Sequence, residues 1–590
     1  MKIINNKGYI ILLLLFLILK NIIVLLTLNK GFDLIDEGSH MLFYTNPSTY
    51  SETFHNYQYY VSLLPQQLIK VPYLRFLYWL LDNLSFAILS FGVYRYVSSH
   101  TTFPIQANTL YFFLFTYSAV SLSVHDRIIG YTIINQFLSY SAFGFLFLYL
   151  SNNRARFLNV SIVLLSPIFF IKVTTYLFLF LIVACVLIYF RKVASYLKFM
   201  ASVIISLCLN FFLLCLKNPN WPTDYIQGLR LGKLSGYGSI EMILYVYIFE
   251  MVFISIAFLC SIIPFILFKK NILLFKKYFF LWYGLSVFLL VLFFRIFARK
   301  EYFVEHYSFS DSQFYYPLLL VFHFIFYLVF SVYISFKTKI DGIFNNQTIL
   351  IFSMILLPFS LFLGSFSSVT MSFYSYTAPY LIVLFLLVIA KNKDYFNFSA
   401  TQINFVVVGF SSFLFCLFLL VYVFYPARLL GSLFKQTYRI KEKPEIYVDR
   451  ELQMFYSNSM NALKNYEDVR RVCYIGNYAG LIYLLDKEQP GTNLYLSFEY
   501  YPFFDKMNIA YNQYFYSQYS KQLKESILLI DEGVSTGNLY DNGNGILDFN
   551  AHLKVDSIKN PYLAREKSVN EKIIHPYTYV YVPKKITKDK

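Results

Sequence analysis

"YIILLLLFLILKNIIVLLTL" (residues 9–28) runs directly into "NKGFDLIDEGSHMLFYTNPSTY" (residues 29–50). The first stretch is almost wholly aliphatic. Coiled as a helix at about 1.5 Å per residue, it reaches across the ~30 Å hydrocarbon core of a bilayer. The second stretch sets Asp33, Asp36, Glu37 and His40 where that helix ends. Lys2 and Lys7 precede the apolar run as in a secretion signal, but no small-residue cleavage site follows, so the segment is read as an uncleaved helix.

The rest of the chain repeats the first half of this pattern. Of 590 residues, 57% are hydrophobic, 21% aromatic and 14% charged, and the mean hydropathy is +0.52. So little charge cannot cover the surface of a soluble protein of this size, so the composition implies an integral membrane protein. The excess of 50 Lys+Arg over 33 Asp+Glu, a net charge of +17, then reflects basic cytoplasmic loops rather than nucleic-acid binding. Five of the six cysteines fall in apolar segments and Cys473 has no nearby partner, so neither a disulfide framework nor a zinc-ligand spacing is present.

About thirteen hydrophobic spans can be read, at 9–28, 76–97, 104–122, 129–150, 157–170, 172–190, 198–216, 244–268, 277–298, 315–336, 347–364, 371–390 and 403–424. Alternate connections carry Lys2/Lys7, Arg154/Arg156, Arg191/Lys192/Lys198, Lys269/Lys270/Lys276/Lys277, Lys337/Lys339 and Lys391/Lys393, which marks that side as cytoplasmic. The opposite connections hold Asp33, Asp36, Glu37, Asp126 and Asp224 among other acids. The expected architecture is an α-helical polytopic membrane domain over residues 1–425, with outer loops at 29–75 and 123–128, and a small extracytoplasmic α/β domain over 426–590. The second domain begins near Tyr425-Pro426. There the chain turns charged and mixed, and apolar runs such as "VCYIGNYAGLIYLL" and "SILLIDEG" are separated by turn signals in "EQPGTN" and "DNGNG".

Three outward features exceed what a scaffold needs. Asp36 and His40 are spaced i, i+4 and share a helix face, an arrangement that can bind a divalent metal or place a general base beside an imidazole. Acids at the start of a juxtamembrane helix also simply complement its dipole. The second feature, "SLSVHDRIIGYTIINQ", sets His125, Asp126 and Arg127 on the same side. The third is Lys172 in "SPIFFIKVTTYLFLF", a cation that breaks the basic-inside pattern at a depth suited to a lipid phosphate, or to snorkelling alone. Lys20 and Asp82 lie deeper in apolar runs and require partners or a cavity. A second Asp-Glu-Gly, at Asp531, Glu532 and Gly533, follows a β-like run and reads as a strand ending in a turn.

A first helix followed at once by "DLIDEGSHMLFY" resembles the GT-C superfamily of integral-membrane glycosyltransferases, in particular polyprenyl-phosphate-sugar-dependent enzymes of the protein O-mannosyltransferase and lipid A aminoarabinose transferase type. "VHDR", "FFIKVTTY", "NWPTDYIQGL", "LLPFSLFLGSFSS" and "YPARLLGSLFKQ" add to the resemblance, although "LGSFSS" lacks a Gly-Thr-Asn-like polar turn at Gly364 and Ser365. The resemblance implies a sugar donor on polyprenyl phosphate and a glycan, lipid or protein acceptor at the outer face of a bacterial cytoplasmic membrane. It implies Asp36, Glu37 and Asp126 as catalytic carboxylates, His40, Arg127 and Lys172 as substrate contacts, and Asp36, His40 and Asp126 as the residues that could hold a divalent metal. Two other readings stay open: a lipid or sugar transporter or flippase, and a surface-polysaccharide polymerase or ligase using the late outer loop "RKEYFVEHYSFSDS" with Arg299 and His306.

Overall fold

The apolar run that opens the chain folds as α1, Lys7–Leu26. The computed structural model describes residues 7–47, 56–100, 107–120, 127–190, 193–234, 346–362, 376–391, 400–424, 429–440, 446–476, 478–490, 519–532, 551–566 and 576–587, with the single positions 255 and 259. After α1 come α2 (Asp36–Thr45), α3 (Tyr57–Val61), α4 (Val71–His100), α5 (Ala107–Ala119), α6 (Tyr131–Asn152), α7 (Ala155–Ile171), α8 (Val173–Tyr189), α9 (Val193–Lys217) and α10 (Trp221–Leu234). Further apolar helices follow at Asn346–Phe362, Thr377–Lys391 and Ala400–Phe418.

Four of these helices are long and apolar enough to cross a membrane: Gly8–Leu26, Val71–His100, Tyr131–Asn152 and Leu197–Lys217. The expected count of about thirteen is not supported. Leu110–Ala119, Ala155–Ile171, Val173–Tyr189, Phe352–Leu361 and Val407–Cys416 are apolar but shorter, at 10–17 residues. The segments read at 277–298 and 315–336, and all but two residues of 244–268, lie outside the described residues. The break expected between the segments at 157–170 and 172–190 falls at Lys172, whose extended backbone (φ −153°, ψ 92°) separates α7 from α8.

The outer surfaces of the spanning helices are apolar. Ile11 and Leu26 on α1, and Leu197 and Leu209 on α9, are 64%, 72%, 69% and 64% exposed, a surface suited to hydrocarbon and not to water. Inside, α4 and α6 cross at glycines: a Cβ on Gly92 would collide with the backbone of Gly144, and one on Gly144 would lie 2.6 Å from Ile88 O. The costly polar residues have partners. Lys20 donates from Nζ to Ala119 O at 2.5 Å, and Asp82 accepts from Gln136 Nε2 at 2.7 Å.

Beyond residue 425, a two-stranded ribbon of β1 (Tyr438–Arg439) and β2 (Tyr447–Val448) precedes a four-stranded mixed sheet. The sheet contains β3 (Val472–Ile475), β4 (Ile527–Asp531), β5 (His552–Lys559) and β6 (Tyr577–Pro583) in the order β3-β4-β6-β5. β3 and β4 are parallel, and the other pairs antiparallel. Every residue of β3 and β4 is buried, as a run without alternation requires. β5 is an edge strand, exposed over most of its length. The helix Arg450–Leu463 is capped by Asp449, whose side chain accepts from Leu452 N at 2.8 Å.

Candidate functional site

The end of α1 creates the first demand on the site. Its last carbonyls have no partners within the helix and carry the negative end of the helix dipole. Two arginines from elsewhere in the chain bind the carbonyls of the turn that follows, at Thr27, Leu28, Lys30 and Gly31. Arg127 donates to Lys30 O (2.6 Å) and Thr27 O (2.8 Å) and lies over the Tyr422 ring, 5.2 Å from its centroid. Arg75, at the start of α4, donates to Leu28 O (2.8 Å), Lys30 O (3.0 Å) and Gly31 O (2.7 Å). Gly31 turns the chain here with φ +70°, a conformation that favours glycine.

The three acids that follow are sorted into different tasks. Asp33 caps α2, accepting from Ile35 N at 2.8 Å and Asp36 N at 3.2 Å. Glu37 is gripped by Arg75 through Nε to Oε1 and Nη2 to Oε2, both at 2.6 Å, and also accepts from Asp33 N at 3.0 Å. Both side chains of this pair are buried, at 3% and 1% exposure. Burial alone would push the Glu37 carboxyl up. The Arg75 charge and hydrogen bonds, with the Arg127 charge and the Asp33 N–H added, prevail and hold it below the usual carboxylate range. A carboxylate so engaged is a weak base. Asp36 sits half-buried in the first turn of α2.

His40 is buried one turn further on. Its Nδ1 shares a hydrogen bond of 2.6 Å with Tyr57 OH, its ring stacks on Tyr44, and its Nε2 edge packs against Gly130, where a Cβ would lie 2.8 Å away. Tyr44 donates in turn to Ile129 O. Thus α2 and residues 129–130 of the second outer connection are held face to face. Asn56, beside Tyr57, carries the contact onward: it donates to Phe170 O (2.9 Å) and accepts from Trp221 Nε1 (2.8 Å). Phe170 lies just before Lys172, which is buried and donates from Nζ to Leu361 O at 2.8 Å.

Asp36, His40, Arg127 and Lys172 therefore belong to one contiguous set of loops and helix ends. His125 and Asp126 lie outside the described residues. Arg127 and Lys172 already cap carbonyls, although Leu361 O takes only one of the three N–H groups of the Lys172 ammonium. Nδ1 of His40 is engaged by Tyr57 OH, and its Nε2 edge lies beside Gly130. Among the described residues no three His, Cys, Asp or Glu side chains converge as a metal site. Sequence reasoning passed over Arg75, Asn56, Tyr57 and Trp221. Arg75 carried the same signal that singled out Lys172, a basic residue on the side opposite the basic loops.

The C-terminal region packs directly on this loop. Tyr447 N donates to Asn29 O (2.8 Å), Gly31 N to Tyr447 O (2.7 Å) and Gly480 N to Leu34 O (2.8 Å). Lys30 Nζ reaches Gln436 O at 2.9 Å, and Phe32 stacks on Tyr483. Asp531 ends β4, 1% exposed, and its Oδ1 accepts from Tyr474 OH (2.7 Å), Thr578 Oγ1 (2.6 Å) and Asn560 Nδ2 (3.1 Å). Compared with known families and characterised proteins, the chain matches no family model and no curated sequence.

Proposed function

We propose that this chain is a membrane glycosyltransferase that moves a sugar from a polyprenyl-phosphate donor to a cell-envelope acceptor, with Asp36 as general base. The observation that carries the proposal is the sorting of the acids. Asp33 serves as a cap and Glu37 as an ion-pair anchor, while Asp36 opens α2 and is half-buried, where an acceptor hydroxyl can approach it. Arg127 and Lys172 belong to the same assembly of loops.

In the reaction, Asp36 takes the proton of an acceptor hydroxyl as its oxygen bonds to the anomeric carbon. The bond from that carbon to the phosphate oxygen breaks, and the lipid phosphate leaves with the electron pair. Displacement in one step inverts the anomeric centre. Arg127 and Lys172 are the cations available to the growing phosphate charge. No step is routed through a metal; a divalent ion, if bound, would be held by Asp36, His40 and Asp126 and would add positive charge beside the leaving phosphate.

The C-terminal region touches the residues just after α1, so this site and the C-terminal region share one face of the membrane. The basic residues of the alternate connections are what support reading that face as the outer one.

The test is to supply the protein in lipid vesicles with polyprenyl-phosphate-linked sugars and an envelope extract, and to follow release of polyprenyl phosphate. Asp36→Asn should lower the rate by at least about 100-fold, the scale of a lost general base, with the thermal midpoint unchanged. An Asp36→Asn protein as active as the parent would refute the assignment. The buried Lys20, Asp82 and Gln136 are a feature that a transporter would also carry. Sugar uptake into vesicles without phosphate release would favour that reading.

A further inference from the structure

The contact that seats the C-terminal region on the first loop is built on two glycines. A Cβ on Gly38 would collide with the backbone of Gly480. One on Gly480 would lie 2.5 Å from Leu34 O and 2.8 Å from Gly38 Cα. Two backbones approach this closely only where neither carries a side chain, as at small-residue helix crossings in membranes. Gly38 lies in the first turn of α2, two positions after Asp36. Gly480 opens the short helix Gly480–Leu484 that follows β3.

Around this pair, residues 29–38 are bound along their length. The backbone of Tyr447 pairs with Asn29 and Gly31, Gln436 O receives Lys30, the Tyr483 ring covers Phe32, and Gly480 N holds Leu34 O. The opposite side of the loop is held by Arg75 and Arg127. The loop is thus gripped between the helix bundle and the C-terminal region, and neither partner alone supplies both sets of bonds.

We infer that the C-terminal region is a clamp that positions Asp36, with Gly38 and Gly480 as its positioning residues. The inference rests on the role proposed for Asp36. If the clamp slackens, the base moves relative to the reacting atoms while the donor contacts at Arg127 and Lys172 stay in place. A displacement of about 1 Å at a reacting group can cost on the order of 100-fold in rate. The expected signature is therefore a fall in kcat with little change in the KM for the donor.

The experiment compares Gly38→Ala, Gly480→Ala and, as a control, Gly409→Ala in the full-length protein. A Cβ at Gly409 meets nothing within 4 Å. Hydrogen exchange is followed in the peptide covering 29–40 and in β3 and β4, alongside donor turnover. The clamp predicts faster exchange in 29–40 for both test variants, unchanged β3 and β4, kcat lower by about one to two orders of magnitude, and donor KM within about twofold, with the control at parental values. Unchanged exchange in 29–40 would overturn it, as would faster exchange with parental kcat. So would loss of protection in β3 and β4 in both variants, which would make the glycines part of the sheet's own stability. If the parent transfers no sugar, the role of Asp36 fails, and the exchange data still decide whether the region holds the loop.

Discussion

Glu37 and Asp36 are adjacent and chemically alike, yet their surroundings give them opposite uses. The fork from Arg75 ties Glu37 into the protein interior, and removing one partner of a buried pair leaves the other charge stranded. Arg75→Ala should therefore destabilise the protein by about 3–5 kcal/mol, read as a lowered midpoint in thermal unfolding, whereas Asp36→Asn should leave the midpoint alone. The pairing also has a pH signature. Because the folded-state pKa of Glu37 is depressed, its stabilisation is complete above the unfolded value of about 4.3. It is lost as pH falls through the lower folded value. Between about pH 5 and 3, the parent should lose stability more steeply than Glu37→Gln, and parallel curves for the two would contradict the pairing.

At the scale of elements, strand β4 shows how a repeated tripeptide acquires a different meaning. Asp36-Glu37-Gly38 opens a helix on a membrane loop, and Asp531 closes a fully buried strand. Asp531 collects hydroxyl and amide donors from β3, β6 and Asn560. Asp531→Ala would remove the acceptor that the buried Tyr474 and Thr578 hydroxyls and Asn560 share, although Asn560 keeps Thr578 Oγ1 at 3.0 Å. Stability should drop by at least about 1–3 kcal/mol, while turnover per folded molecule stays at the parental level. Loss of turnover in a variant that still unfolds at the parental temperature would instead place Asp531 in the chemistry. That Asp531 ends a strand was legible in the local run of "SILLI", because a buried strand needs only its own apolar residues to declare itself. Its partners were not legible, since Tyr474 and Thr578 are brought together by sheet order alone.

For the whole molecule, the contact between residues 29–38 and the C-terminal region fixes a topology. Helix α1 is long enough to cross, and the residues that follow it, Asn29, Gly31 and Leu34, touch Tyr447 and Gly480. A crossing by α1 predicts that the N-terminus and the C-terminal region lie on opposite faces of the membrane. Tags at the two ends should be reached from opposite sides of sealed vesicles, and labelling of both from one side would break this arrangement. The expected number of spans is not supported: among the described residues, four helices are long and apolar enough to cross. The join read between 157–170 and 172–190 is where the chain does break, at the extended Lys172 between two helices of 17 residues.

The sequence by itself determined that this is a membrane protein, where its first helix lies, and that an acidic loop follows. These properties are local or additive: composition sums over residues, and a helix cap such as Asp33 acts on its immediate neighbours. The tertiary structure alone decided which acid is locked and which stays near the surface. Arg75 stands 38 residues from Glu37, and the glycine that fits against Gly38 comes from the far end of the chain. Electrostatic pairing and close backbone contact depend on distance in space, which residue order does not carry.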